Sequence, residues 1–380
     1  MIIGYDAKRA FRNNSGLGNY SRMVIGGVCR EGHGMVKSLL FTPTTKGRHT
    51  HYFDDIQEVE VRQPRGLWAM AGGLWRSVWS GLCARREGVD IYHGLSHELP
   101  FFLGNGVKKV VTMHDLIVRR YPEFFKPADR IIHRLKMRHA CRVADMVIAI
   151  SEQTKRDLVD MMHVPEEKIR VVYQSCDPIF WNPPSATLPP SHSAVQLPER
   201  YIIAVGTVEE RKNQVAAVRA LALLPEDVCL VVVGRPRGNY PQQVRRVAKE
   251  LGVDHRVIFL QNAAFSDFPA LYRGAVASVY MSVFEGFGIP VLESLCCDCP
   301  VVTSNVSSMP EAGGDAALYA DPKNPDEIAA RLKSIIDDPA LRAELVEKGK
   351  VQCQKFTPHK AVSGLYDLYM SLLPDEDPEQ

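Results

Sequence analysis

Two glutamates, Glu285 and Glu293, bracket the run Gly286-Phe287-Gly288-Ile289-Pro290. The glycines permit a loop whose backbone comes close to a ligand, and Pro290 suits the first turn of a helix. Amides at such a helix start can hold phosphate or sugar oxygens. The two carboxylates can accept hydrogen bonds from ribose and sugar hydroxyls. Either glutamate alone could be a surface residue, but that does not explain the pair together with the glycines and proline. Upstream, Val205-Gly206-Thr207 ends an apolar run and leads to Arg211-Lys212-Asn213 at a helix start. Adjacent cations there oppose the helix dipole unless an anion joins them, and a planar fork beside a point charge suits a diphosphate. A solvated basic helix start is the other reading. His114-Asp115 closes the apolar run Val110–Met113. A neutral imidazole there could bond a substrate hydroxyl or serve the structure alone. Gly16-Leu17-Gly18 sits between a first strand and a helical pattern, where an anion could approach; a tight loop without a ligand would have the same sequence. It fails the dinucleotide fingerprint G-x-G-x-x-G because position 21 is Ser21, which speaks against a nicotinamide dehydrogenase.

The elements that must carry these residues alternate. Strand patterns occur at 2–7, 36–42, 89–93, 109–113 and 146–151, and again at 201–205, 229–233, 257–260, 277–281 and 301–303. Helical patterns such as 127–144 and 152–162 lie between them. Near-continuous apolar strands such as Val228–Val233 belong in parallel sheets covered on both faces. The pattern predicts an α/β chain of two Rossmann-like doubly wound domains facing a cleft, with ligands beyond the carboxyl ends of the strands. The first domain spans 1–180. A Pro-rich linker spans 181–199, with prolines at 183, 184, 189, 190 and 198. The second domain spans 200–357, and a helix within 358–380 is placed to cross back to the first.

The chain has 380 residues, 46% hydrophobic and 24% charged, a composition that excludes a disordered protein. No apolar stretch reaches the ~18 residues of a membrane span, and no signal-peptide pattern opens the sequence, so a cytoplasmic location is expected. Nine cysteines argue against a disulfide framework; Cys296, Cys297 and Cys299 cluster without a second pair at zinc spacing. Residues 1–181 hold 27 basic and 19 acidic side chains, and the remainder 19 and 25, so only the first half is basic. That asymmetry points to a local anionic partner. Trp68, Trp75 and Trp79 with Arg76, and Arg134 and Arg138 on the 130–142 pattern, could meet an anionic membrane surface or an acceptor. A solvated helix and a core helix would have the same sequence. No nucleic-acid motif is present.

Taken in order, Gly16-Leu17-Gly18, His114-Asp115, Gly206 with Arg211-Lys212-Asn213, and Glu285-x7-Glu293 resemble the family 4 glycosyltransferases of the GT-B fold over nearly the whole chain. The segment His114–Leu158, with Arg120-Tyr121-Pro122-Glu123 and Ile150-Ser151-Glu152-Gln153-Thr154, is similar to bacterial polysaccharide mannosyltransferases. The resemblance implies retaining transfer of a hexose from a nucleotide diphosphate sugar to a hydroxyl of a glycan or lipid-linked oligosaccharide, in cell-surface polysaccharide synthesis. GDP-mannose is the first choice of donor. The resemblance implies no metal and no other cofactor. Arg211 and Lys212 would neutralise the leaving diphosphate, Glu293 would bind ribose, and Glu285 would contact the donor sugar near its reacting carbon. The amides around Gly286, Phe287 and Gly288 would hold sugar and phosphate. His114 would bond the donor sugar, and Gly16 and Gly18 would let the first domain close over the diphosphate. Lipid-linked acceptors in the family imply a peripheral place at the inner face of the cytoplasmic membrane. Two rivals share these motifs: a nucleotide-sugar epimerase of the same fold, and a non-catalytic nucleotide-sugar binding protein.

Overall fold

A computed structural model describes residues 1–13, 15–66, 71–181 and 197–374. The chain forms two compact units, Met1–Ser175 with Thr357–Gln380, and Cys176–Phe356. The Pro-rich run at 181–199 falls mostly outside the described residues. The second unit begins ahead of the expected boundary at 180, because Phe180 is fully buried and packs edge-on against Phe265 and Tyr272 of that unit.

The first unit holds seven strands: β1 (Ile2–Asp6), β2 (Lys37–Phe41), β3 (Val59–Arg62), β4 (Ile91–Gly94), β5 (Lys108–Met113), β6 (Met146–Ala149) and β7 (Ile169–Val171). All pair in parallel, in the order β3-β2-β1-β4-β5-β6-β7. Strand order reverses direction between β1 and β4, and at such a switch point the connections leave on opposite faces and open a crevice at the carboxyl ends. The helix Pro358–Leu372 lies on this unit against the helix Gly16–Glu31. Its Tyr369 hydroxyl bonds His93 Nδ1 at 2.6 Å, and His93 Nε2 bonds Thr112 Oγ1 at 2.8 Å. Burial pushes His93 down to about 3, so this interior imidazole is neutral.

The second unit holds β8 (Tyr201–Val205), β9 (Cys229–Val233), β10 (Val257–Leu260), β11 (Ala277–Tyr280), β12 (Val301–Ser304) and β13 (Ala317–Ala320). These six are also all parallel, in the order β10-β9-β8-β11-β12-β13, with the switch point between β8 and β11. Every residue of β8 is buried, as expected of a central strand covered on both faces. The sequence patterns miss β3, β7 and β13. All three are edges. β3 carries Glu60 and Arg62, β7 has three residues, and β13 is rich in Ala, so none presents the apolar run of a central strand.

Candidate active site

At the switch point of the second sheet, β8 ends at Val205 and Gly206, and β11 ends at Tyr280. Arg211 and Lys212 follow β8 in a 3-10 turn, Glu210–Lys212, rather than in the helix itself. The chain then passes through Asn213 in the left-handed region (φ 53°), and the helix Gln214–Leu221 begins. The expected conflict between cations and helix dipole is settled within the unit. Arg211 lies 2.5 Å and Lys212 2.6 Å from Glu285 Oε1. Tyr280 donates to the same oxygen at 2.9 Å and Ser282 at 2.6 Å, and Lys212 also bonds Tyr280. Four donors thus meet on Oε1 of Glu285. Arg211 also reaches Glu209 at 2.9 Å and the carbonyl of Phe284 at 3.0 Å. The backbone of Glu285 is fixed in turn, since Ser307 and Ser308 donate to its carbonyl at 2.8 and 2.9 Å.

Opposed effects set the charges. Burial alone would raise the Glu285 carboxyl; Arg211 and Lys212 overcome it and hold the group well below the usual carboxylate range. Burial lowers the Lys212 ammonium, with Glu285 pulling the other way. The result is a preorganised ion cluster with one carboxylate between two cations.

Gly288 caps the helix Ile289–Cys296 at φ 108°, a conformation L side chains rarely adopt, which accounts for glycine there. Phe287 points inward, buried against Phe356. Glu293 lies within the helix, buried, accepting from the Tyr272 hydroxyl at 3.2 Å. Burial pushes its carboxyl up to about 7, with Asp177 adding and Tyr272 opposing. The folded protein therefore keeps a proton that the unfolded chain releases at the ordinary carboxylate value. Stability is lost as pH rises from there through about 7, by up to about 3 kcal/mol. Glu293→Gln is expected to raise the melting temperature at pH 8 and leave it nearly unchanged at pH 4. An equal shift at both pH values would show that titration of Glu293 is not the cause.

In the first unit His114 directly follows β5 and is 5% exposed. Its Nε2 donates to the Leu95 carbonyl at 2.9 Å, and its backbone N–H donates to His97 Nε2 at 2.9 Å. Burial and His97 push its imidazole down to about 3. The ring is thus neutral, and with the proton on Nε2 its Nδ1 is an acceptor. Gly16 and Gly18 do not form a loop; they open the helix Gly16–Glu31. A Cβ on Gly18 would lie 1.9 Å from the Asn13 carbonyl oxygen, so that glycine serves close packing within the chain, while Gly16 has open space.

The proposed lipid face divides. Trp68 lies outside the described residues. Trp75 is 3% exposed in the core, and Arg76 is spent on Asp6 at 2.7 Å and Glu98 at 2.6 Å. The buried Asp6 and the half-buried Glu98 both need that guanidinium, so neither Trp75 nor Arg76 can face lipid. Trp79 is half-buried, with Arg86 over its ring. Arg134 and Arg138 are exposed on the helix Pro127–Val143. Around them the apolar exposure comes from Ile131, Ile132 and Leu135, with Phe102 nearby in sequence to Phe101, which packs against His139 of this helix. Among the described residues no helix is long and apolar enough to cross a membrane, and no group of three or more His, Cys, Asp or Glu is placed to hold a metal ion. Cys296 lies 3.2 Å from Cys353.

Sequence reasoning missed Tyr280, Ser282 and Glu209 around the cations, and Tyr272 on Glu293. Tyr280 and Ser282 flank the end of β11, close before Glu285, and that position was the available signal.

Two family models match the chain: Glycosyltransferase Family 4 over residues 15–179 and Glycosyl transferases group 1 over residues 191–352. The O-antigen chain mannosyltransferase B of Escherichia coli is 29% identical over 303 residues, covering 78% of this chain and 77% of that protein. A solved glycosyltransferase of Rickettsia africae superposes with a TM-score of 0.75 at 15% identity, covering 99% of each chain. Anabaena HepE, solved with UDP and glucose, gives 0.73 at 20% identity over 97% of this chain and 99% of its own. With both halves matched in order, and two parallel doubly wound sheets of the GT-B type, the chain belongs to glycosyltransferase family 4.

Proposed function

We propose that the protein transfers a mannosyl group, with retention at the anomeric carbon and without a metal, from GDP-mannose to a hydroxyl of a glycan or lipid-linked oligosaccharide. The observation that carries this reading is the convergence of Arg211 and Lys212 on Glu285 beyond the strand ends of the second sheet. The mannose choice is supported by the name of the Escherichia coli relative, and a nucleotide sugar donor by HepE's complex with UDP and glucose.

The charges give the mechanism. As the bond from the anomeric carbon to the phosphate oxygen breaks, negative charge grows on the diphosphate and positive charge on the sugar. Arg211 and Lys212 stabilise the first, a contribution of several kcal/mol when donors are preorganised in a dry site. Glu285, ionised throughout the working pH range, faces the sugar. The departing phosphate oxygen takes the proton of the acceptor hydroxyl, and the acceptor oxygen forms the new bond on the same face of the anomeric carbon that the phosphate leaves. Glu293 takes the ribose hydroxyls, and the amides around Gly286 and Gly288 take sugar and phosphate oxygens. In the first unit, His114 Nδ1 accepts from a substrate hydroxyl.

A thermal-shift screen of nucleotide sugars tests this, because a ligand that binds only the folded state raises its melting temperature. GDP-mannose should give the largest shift, and labelled mannose should reach the acceptor with chelator present. Strict dependence on a divalent ion would refute the metal-free step. Release of an epimer without acceptor would favour the epimerase, and binding without turnover the non-catalytic nucleotide-sugar binding protein.

The same reading seats the Pro127–Val143 helix on anionic lipid through Ile131, Ile132 and Leu135, with Arg134 and Arg138 beside them. Each cation near such a surface contributes about 1 kcal/mol. The protein should sediment with anionic vesicles at low salt, and Ile131→Asp with Leu135→Asp should abolish this. Equal recovery in the supernatant with and without vesicles would remove the lipid contact.

A further inference from the structure

A cavity of about 370 Å³ opens beyond the carboxyl ends of β1 and β2 in the first unit, lined by Lys8, Arg9, Arg12, Asn13, Thr42 and Thr44 among others. None of these residues belongs to the site described above. Three cations follow β1 within one short stretch, and the nearby carboxylates are already committed. Glu98 takes Lys8 at 3.0 Å, Arg76 at 2.6 Å and Lys136 at 3.2 Å, while Asp6 takes Arg76 at 2.7 Å. Four cations therefore share two carboxylates once Arg9 is counted, and Arg12 adds a fifth positive charge to the cavity wall. Arg9, half-buried, makes one hydrogen bond, from Nε to Ser96 Oγ at 3.3 Å, and its two terminal nitrogens are left for another partner. Arg12 is exposed at the rim. Among the described residues neither guanidinium has a carboxylate partner. Burial lowers both Arg9 and Lys8, so charge is costly there in the free protein, and an anion would relieve it.

We propose that this cavity binds a phosphate ester carried by the acceptor, with Arg9 and Arg12 as its two forks. A carboxylate would satisfy one guanidinium and leave the other uncompensated. A phosphate monoester carries close to two negative charges and three acceptor oxygens, which matches two free guanidiniums with Lys8 alongside. The Thr42 and Thr44 hydroxyls and the Asn13 amide add neutral partners at the wall. The volume lies at the lower end of small-ligand pockets, which leaves room for the sugar or alcohol that bears the phosphate. The word acceptor rests on the transferase reading; the binding of phosphate does not.

The experiment saturates the protein with GDP, and in parallel with UDP, and then titrates it by calorimetry. The soluble arm uses mannose 6-phosphate and mannose. The lipid arm uses neutral vesicles with and without a polyprenyl phosphate. Binding of the phosphorylated compound in either arm, absent for its unphosphorylated counterpart, is expected, and the arm that responds tells whether the ester is soluble or lipid-borne. Arg12→Gln, at an exposed position that folding does not need, should weaken this binding at least tenfold, and Arg9→Gln likewise, with nucleotide affinity unchanged. No binding in either arm, or equal binding by both variants, overturns the proposal. Failure of both nucleotides to bind would instead strike the transferase reading, and the phosphate titration would still report on the cavity.

Discussion

Lys212→Ala is expected to lower turnover about a hundredfold while the protein stays folded. The ammonium sits 2.6 Å from Glu285, and in the proposed mechanism it stabilises the charge growing on the diphosphate; loss of one such donor typically costs about 10²- to 10³-fold. The fold should survive, because Glu285 keeps Arg211, Tyr280 and Ser282 on the same oxygen, so no buried carboxylate is stranded. Steady-state kinetics with a parallel thermal melt would decide it. Unchanged turnover would contradict the phosphate role, and a collapsed melting transition would mean that the ammonium is chiefly structural.

Glu285→Gln should act on both function and stability. The amide keeps the shape but leaves Arg211 and Lys212 side by side without their shared countercharge. Breaking a buried pair in this way costs about 3 kcal/mol or more. Turnover should fall more than about a hundredfold, because the proposed mechanism sets this ionised group against the sugar. Nucleotide affinity should be kept or rise, since the cations no longer divide themselves between the carboxylate and a diphosphate. Calorimetry with GDP and UDP beside kinetics separates these effects; lost nucleotide binding with normal turnover would overturn the assignment. The pH profile is a further check. A carboxyl held well below its ordinary value contributes stability above that ordinary value and loses it only as pH falls through the depressed one. Wild type should therefore show no titration of this group between pH 5 and 8, in contrast to Glu293.

The sequence makes the central strands legible because a strand covered on both faces must be apolar throughout, as Tyr201–Val205 and Cys229–Val233 are. The edges β3, β7 and β13 escape because they are short and carry polar or small residues, whereas the edge β10, Val257–Leu260, is apolar throughout and is read. The site is legible in its parts. Gly288 before Pro290 marks a helix start, and Arg211-Lys212 marks a concentration of charge. That the two cations belong to Glu285, seventy-three positions further on for Lys212, is a consequence of β8 pairing with β11 and has no local signature. Arg76 misleads for the same reason. Beside three tryptophans it reads as a lipid-facing cation, but its real partners Asp6 and Glu98 reach it through the fold; Asp6 lies seventy positions away. Local pattern reports which side chains are amphipathic; it does not report which buried charge, elsewhere in the chain, requires them.

The helix Pro358–Leu372 belongs to the first unit although the whole of Cys176–Phe356 precedes it in the chain. During synthesis the second unit thus has its entire sequence before the first does. Until the final helix leaves the ribosome, His93 lacks the Tyr369 hydroxyl, and the apolar surface that Val362, Leu365 and Leu368 will cover stays open. The first-made strands of the chain are thus the ones whose cover arrives last, a connectivity that lengthens the time for which a folding chain exposes apolar surface.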